Sequence, residues 1–149
     1  MKKLAKSTHT AADAASVQSH IEKVLQAYEK ALNASDTGAV LTLFAPDGVF
    51  MAPNNPSTVG ADAIRAAYNG IFQTITFDTE LTVEEVVQVA PNWAFVRTSS
   101  NGHVTVKAIN QRVPDANHEL FIFQRGEKGR DDAWKIARYS FATTLPLPR

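Results

Sequence analysis

The hydrophobic period changes once along this chain, near Thr74, and that change limits the folds open to it. Before it, apolar residues recur at helical spacing. After it, β-branched and aromatic residues dominate and alternate with polar ones. Val17, Ile21, Val24, Leu25, Tyr28 and Leu32 follow i, i+3, i+4, i+7 steps and predict a helix over 11–33, with Glu22, Lys23, Gln26, Glu29 and Lys30 on the other side. Asn33-Ala34-Ser35-Asp36 breaks the pattern. Asp36 or Ser35 can cap a short helix over 37–44 by accepting a backbone N–H. Leu43–Pro53 then reads as a helix end, a tight turn at Pro46-Asp47-Gly48 and a strand over 49–52. Two prolines and two asparagines make 53–57 a loop, and Ile64, Ala67, Tyr68, Ile71 and Phe72 predict a third helix over 61–73.

Beyond the change, four long strands are expected over 74–90, 93–110, 117–125 and 134–144. Pro91-Asn92 is a turn, Asn101-Gly102 a bulge or bend, 111–116 a loop and 126–132 a charged turn. With a two-residue hairpin, Val83, Glu85, Val87, Val89, Ala94, Val96 and Thr98 share one face. Glu84, Val86, Gln88, Trp93, Phe95, Arg97 and Ser99 share the other. Neither face is cleanly polar, so one is expected to cover the core and the other a partner. Helices first and antiparallel strands second make this an α+β chain, with helices on one face of a sheet.

Composition narrows the partners. A length of 149 residues fits one domain, expected over 13–145 after a flexible arm at 1–12. Fifteen basic and fifteen acidic side chains cancel, so no global field draws in nucleic acid or anionic membrane, and self-association is easier. No basic stripe is interleaved with aromatics either. Cysteine is absent, which excludes disulfides, thiolate zinc sites and a cysteine nucleophile. The basic N-terminus lacks the apolar run of a signal peptide, and no stretch of about 18 apolar residues occurs. The expectation is a soluble, cytoplasmic protein without a membrane span. His9, His20, His103 and His118 show no paired metal-ligand spacing, so neither a metal nor a cofactor is expected.

Several stretches resemble the nuclear transport factor 2-like superfamily, the cystatin-like cone also found in ketosteroid isomerase and the SnoaL-like polyketide cyclases. The carriers are Tyr28-Glu29-Lys30-Ala31-Leu32-Asn33-Ala34-Ser35-Asp36, Leu43-Phe44-Ala45-Pro46-Asp47-Gly48-Val49-Phe50, Gly60-Ala61-Asp62-Ala63-Ile64 and Trp134-Lys135-Ile136-Ala137-Arg138-Tyr139. The likeness runs from about Ser16 to Ala142 and is greatest to small stand-alone members of the ketosteroid-isomerase-like or SgcJ/EcaC type. It implies a curved, mostly antiparallel sheet wrapped around the long first helix, three helices in all, a pocket at the open end, and a homodimer through the outer sheet face.

The resemblance also suggests residues. In steroid isomerases of this fold a tyrosine on the first helix stabilises the dienolate oxygen, and Tyr28 stands at that position, fifteen residues before Leu43. It can equally be a core residue with a satisfied hydroxyl. The isomerase base, an aspartate before the proline ending the first strand, is replaced by Ala52, which takes no proton. The second acid falls near Phe121, and Glu119, two residues away on the same face, can stand in after a register shift. Phe50, Met51, Tyr68, Phe72 and Phe121 are candidates for an apolar pocket wall or for plain core. Arg97 holds a ligand's anionic group if its face lines the cone and pairs with Glu84 if it faces outward. His103 can point either way. The expected function is binding of a small hydrophobic organic molecule, with isomerase, lyase or cyclase chemistry using Tyr28 and Glu119. The alternative is a non-catalytic dimerisation or association domain.

Overall fold

The computed structural model describes residues 11–126 and 133–147. The arm expected over 1–12 lies outside the described residues except for the backbone of its last two, and the charged turn lies outside them except for Gly126. Three helices, α1 (Ala11–Asn33), α2 (Thr37–Leu43) and α3 (Ala61–Thr74), accompany six strands. These are β1 (Phe44–Met51), β2 (Thr58–Val59), β3 (Ile75–Ala90), β4 (Trp93–Val106), β5 (Gln111–Arg125) and β6 (Trp134–Thr143). They form one sheet in the order β2-β1-β6-β5-β4-β3. All neighbours are antiparallel except β1 and β6, so the sheet is mostly antiparallel and the class is α+β.

The stripe expected on α1 is the one buried: Val17, Ile21, Leu25, Tyr28 and Leu32 enter the core, with Val24 packed at its edge. Asp36 is the cap of α2, its Oδ1 accepting the Ala39 N–H at 3.0 Å. Polar groups on α1 fasten the edge strand β3. Asn33 donates to the Thr79 carbonyl at 2.9 Å and accepts the Thr79 N–H at 3.0 Å, while Glu29 accepts the Leu81 N–H at 2.8 Å. These side chains occupy groups that an edge strand otherwise leaves open.

Five local expectations are corrected. Pro46-Asp47-Gly48 is not a turn before a strand. Strand β1 already begins at Phe44, and its register against β6 slips between Phe44 and Val49, so the three residues belong to a bulge. Residues 111–116 are strand rather than loop, because β5 pairs with β4 from Gln111 onward. A two-residue strand, β2, pairs with β1 beyond the proline-rich loop. The Asn101-Gly102 step holds its register with both neighbours, so of the bulge or bend expected there the bulge is absent. Glycine is required at 102 for another reason: at φ 155 a Cβ would lie 2.1 Å from the Asp78 carbonyl oxygen.

The fifth correction concerns β3. Its register shifts twice against β4, between Val83 and Glu85 and between Gln88 and Ala90. Each extra residue resets the alternation. Val83 keeps its inward side but lies opposite Thr98, Glu85 lies opposite outward Arg97, and Val86 replaces Val87 opposite Val96. Val86 accordingly packs on the core, and Val89 is exposed. The inner face of β4 is Ala94, Val96, Thr98 and Ser100, all buried.

Candidate functional site

A part-enclosed cavity of about 60 Å³ lies between α1, α3 and the inner face of the sheet. Alternation on β5 places Asp115, Asn117 and Glu119 on its wall. Ser100 of β4 and Thr79, Leu81 and Phe77 of β3 line the adjoining side. Tyr28 and Leu32 come from α1, Tyr68 and Ile71 from α3, Phe50 from β1, and Tyr139 and Phe141 from β6. Gly102 lies opposite Asp115 in the β4–β5 register, so no side chain stands across from that carboxylate.

Glu119 is only 6 % exposed, and two hydroxyls hold it. Thr98 Oγ1 donates to Oε1 at 2.5 Å, and Ser100 Oγ donates to Oε2 at 2.6 Å. Both hydroxyls come from neighbouring rows of β4, so the ladder itself sets this geometry. Burial pushes the Glu119 carboxyl above its ordinary value, the Ser100 and Thr98 bonds pull it back, and the nearby Asp115 adds a further upward push. Asp115, half-buried, is also raised by burial and is partly relieved by Asn117, whose Nδ2 donates to its Oδ2 at 3.1 Å. Glu119 therefore holds its proton to higher pH than a surface glutamate does.

Across the cavity, Tyr28 and Tyr68 join hydroxyls at 2.6 Å. Burial raises both phenols, and Tyr139 as well, well above the ordinary tyrosine value. All three therefore stay neutral and retain their protons as donors. Within the Tyr28–Tyr68 pair one hydroxyl donates and the other accepts, and Tyr28 also interacts with the Tyr139 hydroxyl, so the three phenols form one cluster. Tyr28 also meets Tyr68, Phe121 and Tyr139 edge to face, with centroids 6.4, 5.8 and 5.7 Å away, so its ring is held on three sides.

Of the residues singled out from sequence, Tyr28, Glu119, Phe50 and Tyr68 meet at this cavity. Five others do not line it. Phe121 and Phe72 are buried in the packing behind, Phe121 stacked on Tyr139 at 4.2 Å and Phe72 against Tyr68 and Phe77. Met51 follows Phe50 on β1 and therefore points to the other face, where it is 37 % exposed. Arg97 faces outward and pairs with Glu85, not Glu84, at 2.5 Å, because the β3 bulge brings Glu85 opposite it. His103 also lies off the cavity, its Nδ1 3.2 Å from Arg112 Nη2, and Arg112 in turn pairs with Asp78. Sequence reasoning misses Asp115, Asn117, Ser100 and Thr98. Counting back by two from Phe121 and Glu119 reaches Asn117, already at the start of the expected strand, and then Asp115, hidden by reading 111–116 as a loop.

Among the described residues no group of three or more His, Asp or Glu side chains is placed to hold a metal ion. No described helix is long and apolar enough to cross a membrane.

The family model for the SnoaL-like domain matches residues 24–135. Among solved structures, a ketosteroid isomerase-like protein from Erwinia carotovora atroseptica SCRI1043 is 36% identical, with a TM-score of 0.80 over 86% of this chain and 96% of that one. A nuclear transport factor 2-like superfamily protein from Salmonella enterica serovar Typhimurium LT2 is 14% identical, with a TM-score of 0.76 over 91% and 96%. The hexachlorocyclohexane dehydrochlorinase LinA-type3 from Novosphingobium barchaimii LL02 is 11% identical, with a TM-score of 0.77 over 91% and 92%. The last two share the fold alone. A comparison with curated proteins gives no match.

Proposed function

The chain belongs to the SnoaL-like domain family, and from that premise we propose that its cavity binds a small organic molecule and moves a proton on it. Glu119 is the group that takes and returns the proton. The cluster of Tyr28, Tyr68 and Tyr139 supplies the hydrogen bond to an oxygen that gains negative charge as the proton leaves. Isomerisation, elimination and ring closure all share this step, and the reading is confined to that class. The observation that carries it is the nearly buried Glu119 carboxyl on a cavity wall, held by two neutral hydroxyls and, among the described residues, by no cation. Within the described protein that carboxyl is not spent in an ion pair, so it is open to a ligand group and to a proton. The base position of the steroid isomerases, Ala52 here, is not needed for this arrangement.

The cavity bounds the ligand. At about 60 Å³ it is well below the roughly 300–1,000 Å³ of drug-sized sites, so a molecule of a few heavy atoms fits and a steroid does not without displacing walls. The test is hydrogen–deuterium exchange at the carbon next to the carbonyl of small ketones in D2O, followed by proton NMR. The chain should accelerate exchange over buffer, and Glu119→Gln should lower that acceleration by about 10²-fold or more. Acceleration that survives Glu119→Gln refutes the role given to Glu119.

The outer sheet face supports a second reading, a homodimer through that face. Trp93, Leu120 and Val89 are 37, 44 and 59 % exposed there. Val87, Phe95 and Ile122 lie in register across three strands beside them. Scattered apolar residues need no partner, but a run across adjacent strands does. Sedimentation of the chain at micromolar concentration should give twice 16.2 kDa. A single species at the monomer mass refutes the dimer.

A further inference from the structure

We propose that the cavity selects a small organic molecule bearing a protonated primary or secondary amine, held between Asp115 and Glu119. The proposal rests on the reading of this cavity as a ligand site. It comes from counting what the lining offers. The wall carries two carboxyl groups, and among the described residues that line it there is no Lys, Arg or His. Glu119 accepts one hydroxyl proton on each oxygen, which leaves a lone pair open on both. Asp115 receives a single side-chain N–H among the described residues, from Asn117. Ser100 and Asn117 have already spent protons on these acids. The unspent capacity of the wall is therefore mostly acceptor, with phenol hydroxyls as the remaining donors.

A ligand that completes this wall brings donors and positive charge. An alkylammonium carries two or three N–H groups on one cation and satisfies both requirements, whereas a quaternary ammonium has the charge without the donors. A carboxylate ligand meets like charge on the wall, and a neutral alcohol brings one donor and no charge. The rest of the lining, Phe50, Ile71, Leu32 and Phe141, receives a short hydrocarbon. The small volume means that the cationic head makes up much of any molecule that fits. Asp115, half-buried opposite side-chain-free Gly102, is the acid an entering ammonium reaches more readily, and Glu119 is the deeper one.

The test is an amide NMR titration of the whole chain at pH 8 with propylamine, 1-propanol and propionate, three probes of nearly equal size. Propylamine should shift the amides of Ser100, Asn117 and Glu119 saturably and bind about tenfold or more tighter than propanol, with propionate not binding. Its affinity should fall between pH 8 and pH 4, as the two acids take up protons. Asp115→Asn and Glu119→Gln should each weaken propylamine about tenfold and leave propanol unchanged. Asp115→Asn, at the less buried of the two acids, keeps the test open if Glu119→Gln fails to fold. Propanol or propionate binding as tightly as propylamine overturns the amine while leaving the cavity a ligand site. No saturable shift with any of the three overturns both.

Discussion

One face of strand β5 carries Asp115, Asn117 and Glu119 in its first half and Phe121 and Phe123 in its second. The neighbouring strand repeats the division, with Ser100 and Thr98 beside the acids and Val96 and Ala94 beside the phenylalanines. The β4–β5 pairing runs unbroken through both halves, so along that seam the halves differ in their side chains. In the apolar half the rings stack and no space remains: Phe121 lies 4.2 Å from Tyr139, and both phenylalanines are fully buried. Each such burial stabilises the fold by about 1.5–3 kcal/mol. In the polar half a carboxyl is buried at a cost, and a cavity is left open beside it. One half of the sheet holds the fold together, and that stability lets the other half keep a group whose charge the fold disfavours.

Four substitutions break or sharpen this contrast. Phe121→Ala should be the most damaging, costing about 3–5 kcal/mol in urea unfolding because the stacked rings cannot close over the gap. A loss near that of a surface change would mean that the apolar half is not where stability resides. Thr98→Val keeps the shape but removes one of the two hydroxyls on Glu119. It should cost about 1.5–3 kcal/mol where the carboxyl is charged, and less as falling pH protonates it. It should also raise the Glu119 carboxyl further, which a ¹³C titration of the side chain would read.

Glu119→Gln should leave stability at pH 7 within about 1 kcal/mol of the parent, or raise it, while removing proton-transfer activity. The sign follows from the raised carboxyl. In the unfolded chain Glu119 titrates near about 4.3, and in the fold it titrates higher. The native state therefore binds the proton more tightly. Stability is greatest below the unfolded value and falls as pH rises through the folded one, then levels. Asp115 acts in the same direction. Unfolding curves from pH 4 to 8 should be flatter in Glu119→Gln than in the parent, and an unchanged slope would remove Glu119 as the cause. The smallest effect on the fold belongs to the outer face. Trp93→Glu should change stability by about 0.5 kcal/mol or less yet split the proposed dimer, and sedimentation separates the two effects.

Much of this architecture can be read along the chain, and the failures share a cause. The helices fall where their stripes predict, because an apolar period of 3.6 sustained over many residues matches the α-helix and no other regular backbone. Tyr28 and Glu119 can be placed toward the inside by simple alternation and helical phase. Asp115 cannot, because Pro114 beside it reads as loop, although that proline sits within a paired strand. Arg97 and Met51 fall to the pocket or stay between faces, since a strand shows which residues share a side but not which side is covered.

The amino-acid order alone settles local period, and through it the element types, their sequence and the α+β class. These follow from backbone geometry, which every residue feels through its near neighbours. The tertiary structure decided the rest. The bulges in β3 reset the alternation with no local signature, turning Val86 inward and Glu85 toward Arg97. The cavity exists because residues as far apart as Tyr28, Tyr68 and Glu119 converge on it. Membership of that wall depends on which helix lies over which row of the sheet, a long-range packing outcome that no short stretch of residues encodes.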